Sequence, residues 1–358
     1  MINDEKREIG SEFWLDTTRT LSENNALEYF TFGTDRRFLL SGRTAIDFVL
    51  DEILAQDNVS NIYFPSYCCD SMLQPFIDKG IKVEFYDVFY DNGLQYKIDK
   101  TKKCDIFFAM NYFGYSITNM GTYIDNFKKR GAIIIEDITH SLLSEQIYCE
   151  NSDYLIASLR KWFPVITGGL AINVKKSFLS KTKFDEHEKI KSIKKDAMLL
   201  KSQYMANDKT IEKDKFLDKY KEANQLLEKE YKKYSIDSES YLTLQTIDIK
   251  DIKEKRRKNS KIIHDKLRNL NIDFLISSLN ESDTLLFVPI LLEEERREKL
   301  RAYLIRHEIF CPSHWKKPNI VENNELYKSE ISLICDQRYT EKEIEEYIDT
   351  VAKFLKEC

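Results

Sequence analysis

The sequence predicts an α/β fold with a mostly parallel central sheet flanked by helices and a smaller C-terminal α+β unit. Three observations predict it. Short runs rich in Ile, Val, Phe and Tyr recur through the first half of the chain, as buried strands do. Amphipathic segments of helical length separate the earlier runs, and strands that alternate with helices build a parallel sheet covered on both faces. Past residue 245 the pattern becomes a basic helix followed by strand, helix, strand and helix.

Taken in order, the strand signals are "NIYF" (61–64), "IKVEFYDV" (81–88), "CDIFFAM" (104–110), "GAIIIED" (131–137), "DYLIASL" (153–159) and "GGLAINV" (168–174). The helical segments between the earlier ones are "RTAIDFVLDEILAQ" (43–56), "DSMLQPFIDKG" (70–80) and "NMGTYIDNFKKRG" (119–131). Two of them stop at a glycine, which suits a helix C-terminus. From about 176 to 235 Lys, Glu and Asp dominate, with apolar residues at spacings of three and four. That reads as long exposed helices with one narrow packed stripe, to which no chemistry is assigned. The expected division is a large domain over 1–245 and a small one over 246–358. In the latter, Lys253, Lys255, Arg256, Arg257 and Lys258 read as a hydrated helix face rather than a phosphate site.

Composition narrows the function classes. A chain of 358 residues suggests about two domains. Its net charge of −5, with both signs interspersed, makes nucleic acid a poor expectation for a partner. Seven scattered cysteines with no C-x-x-C pair suggest neither a zinc site nor a disulfide framework, so reduced thiols and no metal are expected. The charged start "MINDEKREIG" lacks an apolar signal core, and no run approaches the roughly 18 apolar residues of a membrane span. A cytoplasmic protein without membrane contact is the expectation.

In an open parallel sheet, ligands sit beyond the carboxyl ends of the strands. Residues at those ends therefore carry the functional reading. "SGRTAIDFVL" leads a small loop into a helix start, where free N–H groups and the positive dipole end suit a phosphate, although Ser and Gly are also ordinary caps. No G-x-G-x-x-G occurs, which disfavours a nicotinamide-dependent dehydrogenase. "IIIEDITH" sets Asp137 and His140 at the mouth of an apolar strand. Two metal ligands at that spacing are too few, and Asp137 as a helix cap is the plain alternative. A carboxylate that binds a protonated pyridine nitrogen fits better. Lys161 ends a later strand beneath Trp162, Phe163 and Pro164, where desolvation would lower its pKa and suit it to form a Schiff base. Phosphate loop, pyridinium aspartate and amine are together the components of a pyridoxal phosphate site.

With these residues in place, the sequence resembles the DegT/DnrJ/StrS-type sugar aminotransferases, which depend on pyridoxal 5'-phosphate and have the type I transferase fold. "FLLSGRTAIDFVL", "NIYFPSYCC", "GIKVEFYDV", "GAIIIEDITHSL", the lysine strand, "IFCPSHW" and "ISLICDQRYTEKEIEEYI" carry the resemblance, in order, over nearly the whole chain. It implies that Asp137 pairs with the pyridine nitrogen, that His140 lies by the phenolic oxygen and that Lys161 holds the cofactor. It implies that Gly42, Arg43, Thr44 and Ser158 bind the phosphate. "SLRKWFPV" is a variant spacing, with Ser158 three positions before the lysine rather than five. Cys69 stands where the family has the aromatic that stacks on the cofactor, so Tyr67 or another aromatic would take over. The implied activity is amino transfer from glutamate to a nucleotide-linked keto-deoxysugar for surface glycan biosynthesis, by a homodimer. The alternatives are an aminotransferase for a non-sugar carbonyl compound and a non-catalytic regulator on the same fold.

Overall fold

The computed structural model describes residues 8–15, 26–115, 120–145, 148–206, 210–276, 278–322 and 324–357. Two short elements open the chain, strand β1 (Ile9–Gly10) and helix α1 (Ala26–Tyr29). The large unit then contains strands β2 (Asp35–Leu39), β3 (Asn61–Pro65), β4 (Lys82–Tyr90), β5 (Leu94–Lys97), β6 (Ile106–Met110), β7 (Ile133–Asp137), β8 (Tyr154–Ser158) and β9 (Gly169–Asn173). They form one eight-stranded sheet in the order β2-β9-β8-β7-β6-β3-β4-β5. The run β8-β7-β6-β3-β4 is parallel, while β9, β2 and β5 pair antiparallel at the two sides. The central parallel strand Ile106–Met110 is apolar and buried at every position, so both faces of the sheet must be covered there.

Helices α2 (Gly42–Leu54), α3 (Asp70–Asp78) and α4 (Met120–Lys129) supply that cover. Helix α2 starts where the sequence dictates: Ser41 is extended, and its hydroxyl accepts the Thr44 amide at 3.2 Å. The charged stretch forms two long helices packed together, α5 (Glu188–Met205) and α6 (Lys213–Lys229), which are shorter than the span 176–235 expected for them. Helix α7 (Ser238–Gln245) closes the large unit.

The C-terminal unit comprises α8 (Ile249–Leu267), β10 (Asp273–Phe274), β11 (Val288–Leu291), α9 (Glu294–Arg306), β12 (Ile309–Phe310), α10 (Leu326–Ser329), β13 (Glu330–Leu333) and α11 (Glu341–Glu357). Its sheet is the antiparallel set β10-β11-β13. Strand β12 pairs instead with β1, in parallel. The N-terminal segment thus docks on the C-terminal unit, and Arg338 holds it with bonds to the carbonyls of Ser11 and Glu12. The basic cluster on α8 is mostly a hydrated, ion-paired face, with Lys255 on Asp251 and Lys258 on Glu254. Arg256 differs. It is buried, its guanidinium lies 4.5 Å from the Trp162 ring centroid, and it donates to the carbonyls of Leu285 and Leu286.

Candidate active site

Two glycines explain how the site assembles. A Cβ on Gly169 would lie 2.0 Å from the Ser41 carbonyl oxygen, and one on Gly42 would meet Ser158 Cβ at 3.1 Å. Only hydrogen atoms at these positions let the start of α2 press against the end of β8. The Gly168 amide donates to the Leu40 carbonyl at 2.9 Å and fixes the contact. The first amides of α2 therefore open onto the same space as the lysine turn.

That turn is a single 3₁₀ turn, Leu159–Lys161, directly after β8. The Trp162 indole donates to the Thr139 carbonyl at 2.6 Å, and the Ser158 amide donates to the Thr139 hydroxyl at 3.0 Å. The end of β8 is thus tied to the end of β7, which carries Asp137. Alternation along β7 separates the two acids. Glu136 turns away and accepts from the Cys149 amide and the Ser152 hydroxyl, whereas Asp137 lines a cavity of about 370 Å³.

Five of the predicted site residues line that cavity: Gly42, Arg43, Asp137, Ser158 and Lys161. His140 lies just behind it, fully buried, with Nε2 3.3 Å from Lys161 Nζ. The other two do not reach it. The Thr44 hydroxyl is spent on the Tyr231 carbonyl at 2.8 Å and on Ser41, inside the helix cap. Tyr67 is buried behind Trp315, with ring centroids 5.0 Å apart.

The cavity wall also holds residues to which sequence reasoning gave no role in the site. Trp315 arrives from the C-terminal unit, stacks on His140 at 5.7 Å and 30°, and has its ring 5.6 Å from Lys161 Nζ. Its only signal in the sequence was its place in "IFCPSHW". Arg160 sits beside Lys161, and its Nε finds no acceptor. Asn224 and Glu228 reach the wall from α6, a helix read as inert. Cys69 stands on the wall, as the missing aromatic at that position implied.

Electrostatics divide the cavity into two ends. At one end the start of α2, Arg43 and Arg160 line the wall, Arg43 with its guanidinium 5.4 Å from the Tyr231 ring centroid and Arg160 with Nε unsatisfied, a set suited to a phosphate. At the other end Asp137 accepts the Thr139 amide at 2.8 Å. Burial raises its pKa, against the pull of its bonds to Thr139 and of the Lys161 charge. A carboxylate held this way is stabilised by a cation placed opposite it. Burial also lowers the Lys161 pKa, opposed by Cys69 and Asp137 and reinforced by Arg160. His140 is held neutral chiefly by burial, and by the charges of Lys161 and His314. The donor set fits pyridoxal phosphate: an anion cradle, an acid for a ring nitrogen and a partly desolvated amine. Among the described residues no group of three or more His, Cys, Asp or Glu could hold a metal, and no helix is long and apolar enough to cross a membrane.

No protein-family model matches the chain, and no curated protein matches it. Solved structures do match. PseC of Helicobacter pylori, an aminotransferase involved in the biosynthesis of pseudoaminic acid, superposes with a TM-score of 0.66 over 99% of this chain and 100% of its own, at 14% identity. The pyridoxal phosphate form of Spr1654, a sugar aminotransferase of Streptococcus pneumoniae by description, gives 0.65 over 98% and 99%, at 13% identity. DesV of S. venezuelae, solved with a ketimine intermediate, gives 0.63 over 95% and 91%, at 14% identity. The fold is that of the type I aminotransferases. In the type I fold of this chain, Lys161 and Asp137 stand at adjacent strand ends, β8 and β7, at the mouth of the parallel sheet.

Proposed function

We propose that the chain is a pyridoxal phosphate-dependent aminotransferase that moves an amino group, with glutamate as donor, onto a nucleotide-linked keto-deoxysugar for glycan assembly. One observation carries the reading: Lys161, Asp137 and the α2 N-terminus converge on one cavity. Structures that share the fold support it, with the aminotransferase PseC and the sugar aminotransferase Spr1654 among them.

Gly42 and Arg43 would hold the cofactor phosphate with Ser158 and Arg160, and Asp137 would face its ring nitrogen. Bound there, the cofactor supplies an aldehyde for amine exchange and an electron sink for the carbon that loses its proton. Asp137 keeps that sink effective by holding a positive charge opposite its carboxylate. Lys161 would hold the cofactor, and its partly desolvated amine would serve as the base that moves a proton at the substrate carbon. His140 positions the amine. Its Nδ1 accepts the Phe113 amide at 3.1 Å, so the neutral ring carries its proton on Nε2, toward Lys161 Nζ. Trp315 walls the cavity beside the amine.

Coupled assays of the purified protein test the reading, with nucleotide-linked keto-sugars set against simple keto acids. Glutamate-dependent amination of the keto-sugar supports it. Turnover confined to simple keto acids would replace the sugar by another carbonyl compound. A protein that binds no cofactor would be a regulator on the same fold.

A further inference from the structure

We propose that a second, basic hollow on the far side of Trp315 binds the phosphoryl end of the acceptor substrate while its keto carbon reaches Lys161. The proposal rests on the reading of the cavity as the reaction centre. The hollow measures about 420 Å³, and Trp315 belongs to its wall as well as to that of the cavity. One indole therefore separates and joins the two spaces.

Charge is the first argument. Arg297 and Arg301 come from α9, Lys316 and Lys317 from the residues after Trp315, and Lys328 from α10, while Glu298 is the one acid in the lining. Five cations against one anion, in a chain whose net charge is −5, is a local concentration that the composition did not foretell. The partners present take up part of it and leave the exposed Arg301 and Lys316 to the hollow. Glu298 takes Arg297 Nη2, Lys317 donates to the Val321 carbonyl at 2.6 Å, and Lys328 is 3.9 Å from the exposed Glu325.

Unmet hydrogen bonds are the second. Arg297 is 8% exposed and gives Nη1 to the Tyr327 carbonyl, yet its Nε is buried without an acceptor. The Ser313 hydroxyl, in the same lining, is also buried and unpartnered. A buried donor without a partner is costly, so two in one hollow point to an acceptor-rich ligand. Phosphate offers that, and guanidinium groups pair with it through charge-assisted bonds.

Rigidity is the third. Asn324 and Tyr327, also in the lining, bond to Val88, Ser66 and Cys68, and the loop they hold leads to Cys69 on the cavity wall. Floor and cavity are thus one fixed frame, as a substrate held at both ends requires.

The test is calorimetric titration of the cofactor-loaded protein with UDP, inorganic pyrophosphate and glucose 1-phosphate, for wild type and an Arg301→Gln/Lys316→Gln double variant. Both side chains are surface positions whose change leaves the fold intact. The expected result is saturable binding that weakens at least 10-fold in the double variant and with added salt. Tighter binding of UDP assigns the phosphoryl group to a nucleotide, and tighter binding of glucose 1-phosphate assigns it to a sugar phosphate. Absence of binding by wild type, or equal binding by both proteins, overturns the proposal. Cofactor absorbance, read in the same samples, reports separately on the reaction centre. Its absence would remove the reading of the cavity and leave the anion measurement standing.

Discussion

Lys161 Nζ lies 3.3 Å from His140 Nε2, while His140 Nδ1 accepts the Phe113 amide. The second bond fixes the tautomer, and the tautomer makes the first a donation from the imidazole to a neutral amine. Burial already lowers the amine pKa, and this bond acts in the same direction. His140→Phe removes the donor and keeps a ring in place. The rate of adduct formation between protein and pyridoxal phosphate then requires a higher pH in the variant, because the protonated amine does not react. An acid limb at the same pH in both proteins would assign His140 a packing role only.

Asp137→Asn keeps the cavity's shape and deletes its charge. Turnover is expected to fall about 10²–10³-fold, the usual loss when a preorganised electrostatic partner is removed. Cofactor should still bind, through the cradle at the other end. Equal kcat in the variant would show that Asp137 faces no cation.

Removing a cation from the phosphate end acts on affinity instead. Arg160→Gln deletes a buried donor whose Nε has no acceptor. A hydrogen bond to a charged group contributes about 1.5–3 kcal/mol, so cofactor affinity should drop about 10- to 100-fold. Fluorescence titration of pyridoxal phosphate measures it, and an unchanged Kd would place the phosphate elsewhere.

Gly169→Ala drives a methyl to within 2.0 Å of the Ser41 carbonyl and so parts α2 from the lysine turn. Overpacking typically costs about 1–3 kcal/mol, and here backbone must move, so the upper end or beyond is expected together with weaker cofactor binding. Gly121→Ala in α4 is the control. Its nearest neighbour is Cys149 Sγ at 4.0 Å, and alanine there stabilises the helix by up to about 1 kcal/mol. Thermal melts of the two variants should move in opposite directions.

Glu136 gives a pH signature. Burial pushes its carboxyl up to about 7, against its bonds to Ser152 and Cys149, from 4.5 when exposed. Between those values the folded protein holds a proton that the unfolded chain has released, so this contribution to stability is lost as pH rises toward 7. Glu136→Gln keeps a neutral acceptor for both donors. The variant should gain melting temperature on wild type across that window and stay above it at higher pH. Parallel curves would mean that Glu136 is ionised throughout.

Local pattern and chain order account for what could be read in advance. Apolar strand ends marked Asp137 and Lys161, and a Ser-Gly helix start marked Gly42 and Arg43, because each signal lies within a few residues of the group it positions; Ser158 came from the family resemblance alone. The family resemblance set Thr44 beside Arg43 as a phosphate ligand, but the helix cap turns its hydroxyl inward to Tyr231. Trp315 lies over 150 residues from Lys161 in the chain, and only the packing of the C-terminal unit on the sheet brings them together. The same holds for Asn224, whose helix carries a charged pattern that gives no hint of which end meets the cavity. The docking of Ile9–Gly10 on Ile309–Phe310 had no sequence signal, since two-residue strands are too short to show a period.

Borohydride reduction of the protein with pyridoxal phosphate, followed by peptide mapping, tests the central claim most directly. The account predicts a visible absorbance that disappears on reduction and leaves the cofactor bound covalently to Lys161, with no such adduct in Lys161→Ala. A wild type that forms no reducible adduct, or a Lys161→Ala protein that forms the same one, would contradict it.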